Sequence, residues 1–422
     1  MRAAYDCVVL GAGPAGSTAA ALVAQAGFRT LIVERDRFPR FHIGESLMPE
    51  TYWVFRRLGV LDRLKRSRFP RKYSVQFVNH AGRESAPFYF FEADPRECSV
   101  TWQVLRSDFD QLLLDNALEK GAECWQQTRA LDVLLEGEQV VGVRVQRKGK
   151  EPQEVAARVV VDATGQQSLL AHRFGLREEL PNLRKASVWT YFRGAYRDPG
   201  IDEGATIILH TQDRQAWFWY IPLPEDITSV GVVGDTDYLL RGGKPPQEVF
   251  AEQVSRCPAV DRRIQNAQQV EPGGGEPRYR VIRDFSYLTR RAAGPGWVLV
   301  GDAFGFLDPI YSSGVFLALI SGQWAAEAIV QGLQSGDLSG EQLGRWAEPL
   351  KRGMRWIHKL IQAFYTPGFS FGQFIRAYPQ HRNNLTDLLV GKVFHREAGR
   401  IFDDLDPWLR RLQEPAGKGL SS

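Results

Sequence analysis

The stretch that most restricts the fold is YDCVVLGAGPAGSTAAALVAQAGFRTLIVERD, residues 5–36. A short apolar run at Val8, Val9 and Leu10 breaks at glycine, and an alanine-rich segment leads to a second apolar run. That pattern predicts strand, glycine turn, helix, strand. Gly11, Gly13 and Gly16 have GxGxxG spacing, with Ala15 inside the same turn. The first glycine permits the tight turn, the second lets backbone approach a pyrophosphate, and the third lets the helix pack on the strand. The helix start then turns its amides toward the phosphates. Glu34 closes the second strand, 23 residues after Gly11, where an acid accepts hydrogen bonds from ribose hydroxyls. A GxGxxG alone is weak evidence; with this context and Glu34, a dinucleotide site is the expectation.

Two further clusters point to a flavin. RFPRFHIGESLMPETYW, residues 37–53, places Arg40 ahead of Gly44, Glu45 and Ser46, where a flavin ring needs close backbone approach. By composition alone a generic loop fits equally well. GWVLVGDAFGFLDPIYSSGVFLALISGQWAAEAI, residues 296–329, reads as strand, loop, helix. Gly301 and Asp302 end the strand, and Asp302 can bond a ribityl or phosphate-side hydroxyl. The helix begins near Ser313 or Gly314, with Val315 in its first turn, and its amides can hold an anion. Serine is also an ordinary N-cap there, and both roles can coexist. Another helix starts at Ser107, with Leu112, Leu113 and Ala117 inward and Arg106 just before it. That arginine either reaches a pyrophosphate or lies on the surface. RVVVDATGQQS, residues 158–168, is one more strand ending in a glycine turn.

The remaining segments set the organisation. A chain of 422 residues exceeds one simple core, so two or three subdomains are expected. Residues 186–235 alternate apolar and polar positions, which predicts an antiparallel substrate domain over 186–277 with added strands from 74–102. The nucleotide-binding part is then discontinuous: 1–73, 103–185 and 278–340. From 341 to 422 the pattern is helical, with Trp346, Leu350, Met354, Ile357, Ile361 and Phe364 at helical spacing. TPGFSFGQFIRAY, residues 366–378, is suited to a lid. Net charge is +4, which argues against nucleic acid. Four scattered cysteines suit a reducing cytoplasm, and seven histidines show no metal-ligand spacing, so no metal is expected. No apolar run suggests a membrane span, and a strand pattern by Tyr5 leaves no room for a signal peptide.

The glycine turn, GESLMP and GDAFGFLDPIYSSGV together resemble the flavin-dependent halogenases, within the wider FAD monooxygenase fold. Three more matches belong to that resemblance. RQAWFWYIPLPED carries Trp-x-Trp-x-Ile-Pro as Trp217, Trp219, Ile221 and Pro222. Phe-x-x-Pro-x-x-Ser-x-Gly is matched by Phe306, Pro309, Ser312 and Gly314. The family lysine is matched by Lys72 in FPRKYSVQF. The likeness spans roughly residues 5–335 and is nearer to the shorter phenol and pyrrole halogenases.

The resemblance implies an α/β fold: a Rossmann-like FAD-binding domain of the glutathione-reductase or p-hydroxybenzoate-hydroxylase type, an inserted antiparallel substrate domain, and a C-terminal helical region. It implies that reduced FAD and oxygen turn chloride or bromide into hypohalous acid, which Lys72 captures and delivers to an electron-rich aromatic ring. Trp217 and Trp219 then wall the flavin from the substrate; an ordinary aromatic core strand would use the same residues. Ser312, Ser313 and Gly314 become a halide site. The Asp162–Gly165 turn completes the FAD site, and Arg106 contacts the cofactor. The substrate is an aromatic small molecule, free or carrier-bound. A separate NAD(P)H-dependent flavin reductase supplies the reduced flavin, since no second dinucleotide fingerprint is visible; a nicotinamide bound without one also fits. No glutamate stands out as a proton acceptor. Three other readings stay open: a hydroxylating monooxygenase, a reductase like the geranylgeranyl reductases, and a flavoprotein that binds a partner or senses redox without turnover.

Overall fold

Apolar runs punctuated by glycine become the central strands. The computed structural model describes residues 4–413. Trp297–Leu299, Gln153–Asp162, Tyr5–Leu10, Thr30–Val33 and Glu123–Trp125 lie side by side, all parallel, with Ala293–Gly294 antiparallel at one edge. The central members are buried along nearly their whole length, as a parallel sheet covered on both faces requires. Helix Pro14–Gln25 crosses helix Ser313–Ser335 at very close range. A Cβ on Gly322 would stand 2.4 Å from the Ala15 carbonyl oxygen, so glycine sets that approach. Thr128–Glu136 and Gln139–Arg147 form a hairpin continuing from Gln153–Asp162.

A second sheet runs in the order Gln268–Val270, Lys185–Arg193, Ile227–Asp235, Ala216–Pro222, Thr206–His210, Ser74–Val78, Phe88–Tyr89. Residues 74–102 do add strands to it. The sheet is nevertheless mixed: Thr206–His210 runs parallel to Ser74–Val78. These two strands come from distant segments, so no hairpin dictates their direction. Thr101–Trp102 joins Arg71–Lys72 instead, in a separate pair.

Period-two alternation sorts the aromatic strand. Trp217, Trp219 and Ile221 face the core shared with the parallel sheet. Phe218 and Tyr220 face a second core under helices Pro246–Ser255 and Pro258–Ile264.

The C-terminal region is helical: Ala347–Tyr365, Phe371–Ala377, Arg382–Val390 and Phe402–Gln413. Leu350, Met354, Ile357 and Ile361 are buried, so the first of these docks on the body. Trp346 precedes that helix as its cap rather than sitting within it. Residues 414–422 of the expected helical region lie outside the described residues. The helix expected from Ser107 begins one residue earlier, at Arg106, whose side chain is drawn inward by Asp110. Helix Ser313–Ser335 is long and apolar enough to cross a membrane, which the sequence reading did not anticipate; 67% of its apolar window is buried in the core, which accounts for the composition.

Candidate active site

The carboxyl ends of the parallel strands open onto a cleft of about 170 Å³, where open α/β sheets bind ligands. Gly11, Gly13, Ala15, Glu34, Arg40, Gly44, Arg106, Gly301, Asp302, Gly314 and Val315 line it, with Ala163, Thr164 and Gly165 of the third glycine turn. Gly16 stands behind: a Cβ there would lie 2.0 Å from the Gly11 carbonyl oxygen, so its role is to let helix meet strand. A Cβ on Gly13 would meet only the Arg40 Nη2, at 3.6 Å, and would otherwise fill the space a ligand's backbone contact needs. Glu34 is held in place, Oε2 accepting from the Ala12 amide at 2.8 Å and Oε1 from the Asp36 amide at 2.8 Å.

Charge is arranged around Asp110, which sequence reasoning missed. Arg106 donates to both its oxygens, at 2.8 and 2.9 Å, and Arg40 donates to Oδ2 at 3.0 Å. Burial alone would push the Asp110 carboxyl up; Arg106 and then Arg40 hold it below its ordinary value. Arg40 Nε also stands 4.0 Å from Glu34 Oε1, so both guanidinium groups line the cleft paired with carboxylates. The glycine cradle, the anchored acid and this cation pair fit FAD.

Glu45, Ser46, Pro309, Ser312 and Ser313 do not line the cleft. Ser312 adopts a left-handed conformation, φ 57°, at the head of its helix, and Ser313 is buried. Of the three halide candidates, Gly314 alone reaches the cleft. Glu45 turns into the interior, where Oε1 accepts from the Tyr191 hydroxyl at 2.7 Å and burial pushes its carboxyl up to about 7.

Ser46 faces Lys72. The lysine is 4% exposed, on the short strand Arg71–Lys72. Its Nζ donates to Ser46 Oγ at 2.9 Å and to the Leu47 carbonyl at 3.2 Å, and stands 5.6 Å from the Phe90 ring centre. Among the described residues no carboxylate offsets the cost of burial, which lowers its pKa to about 7. Behind it runs a chain: Gln103 Nε2 donates to the Gly204 carbonyl at 2.9 Å and to Thr206 Oγ1 at 2.8 Å, and Thr206 meets Ser46 Oγ at 2.8 Å.

A second cavity, of about 890 Å³, lies between the mixed sheet and the C-terminal helices. Phe77, Phe88, His210, Trp217, Tyr311, Phe364 and Tyr365 form its inner wall. The segment 366–373 also borders it. Trp219 lies deeper, its indole N–H donating to Ser229 Oγ at 3.1 Å. Lys72 lines neither cavity. Ser46, its partner, is two residues from Gly44 of the cleft, and Phe90 is two residues from Phe88 of the second cavity.

Comparison with known proteins gives this geometry its context. The family described as FAD binding domain matches residues 4–314. A 1H-pyrrole-2-carbonyl-[peptidyl-carrier protein] brominase of Pseudoalteromonas luteoviolacea is 33% identical over 407 residues, covering 93% of each chain. The corresponding chlorinase of Pseudomonas fluorescens is 30% identical, covering 95% of this chain and 92% of that one. The chain belongs to the flavin-dependent halogenases. The structure of the flavin-dependent brominase Bmp2 superposes with a TM-score of 0.85 at 30% identity, covering 96% of this chain and 99% of that one. The chondrochloren halogenase CndH superposes at 0.78 and 29% identity, covering 97% of this chain and 96% of that one. This halogenase is therefore an FAD-dependent oxidoreductase acting on a halide.

The residues that sequence reasoning missed share one character. Asp110, Gln103 and Thr206 are polar and buried, and each bonds a residue remote in sequence: Arg40, Thr206 and Ser46. Asp110 alone left a trace, standing four residues after Arg106 on one helix face.

Proposed function

We propose that the protein halogenates an electron-rich aromatic ring of the pyrrole or phenol class, and that Lys72 receives the hypohalous acid. One observation carries this reading: a buried amine with no carboxylate partner among the described residues, its pKa lowered to about 7 by burial, bonded to Ser46 two residues from Gly44 of the FAD cleft. Bound FAD, when reduced, supplies with oxygen the two-electron oxidation of halide to hypohalous acid. A neutral Lys72 donates its two N–H groups to Ser46 and Leu47, which leaves the nitrogen lone pair free for the halogen. Trp217 and Trp219, on one sheet face, keep the ring from the cleft while a small oxidant passes. The relatives named for carrier-bound pyrrole, together with the open second cavity, support a pyrrole carried on a protein or a free phenol of similar size. A separate NAD(P)H-dependent reductase would deliver the reduced flavin.

The test is product mass after incubation with reduced FAD, oxygen and bromide, offering simple phenols and carrier-bound pyrrole. A bromine isotope pair supports the reading. A gain of one oxygen would indicate hydroxylation, and a gain of two hydrogens a reductase. Lys72→Ala is expected to abolish the brominated product while oxygen is still consumed. Undiminished bromination would remove Lys72 from the chemistry.

A further inference from the structure

One buried carboxylate is used neither by the FAD cleft nor by Lys72. Asp308 is 1% exposed and sits just before Pro309. Its Oδ1 accepts from the Ile310 amide at 2.9 Å. Its Oδ2 accepts from the Tyr365 hydroxyl at 3.0 Å. Tyr365 in turn accepts from the Trp217 indole N–H at 3.0 Å.

Hydrogen-bond valence fixes the direction of this chain. An indole N–H only donates and a carboxylate only accepts, so the Tyr365 proton points to Asp308. Trp217 occupies one lone pair of the phenol oxygen. The other lone pair remains, on a residue that lines the aromatic cavity.

We propose that Tyr365 and Asp308 form the proton-accepting pair for the aromatic substrate, with Tyr365 receiving a hydrogen bond from the ring's own O–H or N–H. This rests on the reading that ring halogenation takes place in this cavity. Three groups face Asp308: Tyr365, the Lys185 ammonium and the Tyr311 hydroxyl. Lys185 stands 3.8 Å from the Tyr365 ring centre and bonds Asp235 Oδ1 at 2.5 Å. Burial and the Asp308 charge hold the Tyr365 phenol well above its ordinary pKa, so it relays a proton to Asp308 while receiving another and does not ionise by itself. Burial pushes the Asp308 carboxyl up to about 6, near the range useful for a general base.

The ring's electron pair attacks the halogen held on Lys72; the C–X bond forms and the N–X bond breaks, its pair staying on nitrogen. The ring O–H or N–H proton moves to Tyr365 as the Tyr365 proton moves to Asp308. In net terms the ring C–H proton replaces halogen on nitrogen, and the proton lent to Asp308 returns to the ring heteroatom. Carbon is oxidised by two electrons and halogen is reduced.

The test uses the FAD-loaded enzyme, bromide and four probes: phenol, anisole, pyrrole and N-methylpyrrole. Asp308→Asn keeps an acceptor for the Ile310 amide but presents an NH2 to Tyr365, which reverses the chain. Asp308→Asn and Tyr365→Phe are expected to slow bromination of phenol and pyrrole by ~100-fold, within the usual range for a lost acid or base. The two methylated probes, having no proton to give, should change far less. For the wild type, the rate with phenol should fall as pH drops through about 6, and that limb should vanish in Asp308→Asn. Binding without turnover supplies an independent readout. By ligand-observed NMR with oxidised FAD, the wild type should favour phenol over anisole, and Asp308→Asn should lose that preference. Equal losses on all four probes with an unchanged binding preference would make the cluster a structural anchor and overturn the proposal. Lys72→Ala separates the two ideas: full bromination there would sink the lysine reading, whereas the probe pattern reports on Asp308 alone.

Discussion

A lysine buried without an anion is a destabilising residue, and Lys72 shows how large that penalty is. Its folded pKa of about 7 lies well below the ordinary 10.5, so the unfolded chain binds the proton more tightly. The cost is fully present below pH 7, is relieved as pH rises through the window from 7 to 10.5, and is gone above it. Its size follows from the shift, on the order of 5 kcal/mol. Lys72→Met should therefore stabilise the protein at pH 6, with the gain shrinking toward pH 10. Chemical denaturation at several pH values measures it, and a gain that does not vary with pH would count against the neutral-amine state. Nothing in FPRKYSVQF marks this lysine as buried. Its identification came from resemblance, because burial depends on Phe90 and on segments far along the chain.

At the scale of elements, alternation in a strand turns six aromatic and apolar residues into two walls. Trp217 and Trp219 share a face because side chains alternate, and that was legible in the spacing. Room for Trp219 was not legible. Gly231 on the neighbouring strand lies opposite it, and a Cβ there would fall 2.2 Å from the indole ring. Gly231→Ala should displace Trp219 and destabilise the fold by about 1–3 kcal/mol, the usual cost of overpacking. With the wall disturbed, more oxidised halogen should escape to an added trap in solution. Thermal melting and a trapping assay check the two effects, and an unchanged melt with normal product yield would show that the indole has slack. The parallel pairing of Thr206–His210 with Ser74–Val78 was equally hidden, since strand direction across distant segments is set by assembly.

For the whole molecule, the FAD cleft is assembled from segments that are remote in sequence. Residues from 10–44, 106, 128–130, 163–167 and 300–318 all line it. A ligand gripping these segments ties the folded state together, and ligand that binds only the native form stabilises it by about 2.7 kcal/mol at a hundred times its Kd. Removing FAD should lower the melting temperature by several degrees, and adding it back should restore the value. Differential scanning calorimetry of stripped and reloaded protein checks this. An unchanged melting temperature would mean that FAD does not bind the native form in preference to the unfolded chain.

Local sequence determined the parts whose chemistry is contained in one short run. The glycine turn, the terminal Glu34, the strand–loop–helix at 296–329 and the alternating tryptophans each follow from spacing and residue type alone. Tertiary structure decided the rest. Asp110 between two arginines, Gln103 and Thr206 behind Lys72, and Asp308 held against Tyr365 are pairs from 4 to 160 residues apart, and most are far apart. Hydrogen bonds and desolvation act through space, so a polar residue acquires its partner, and its pKa, only when the chain has closed around it.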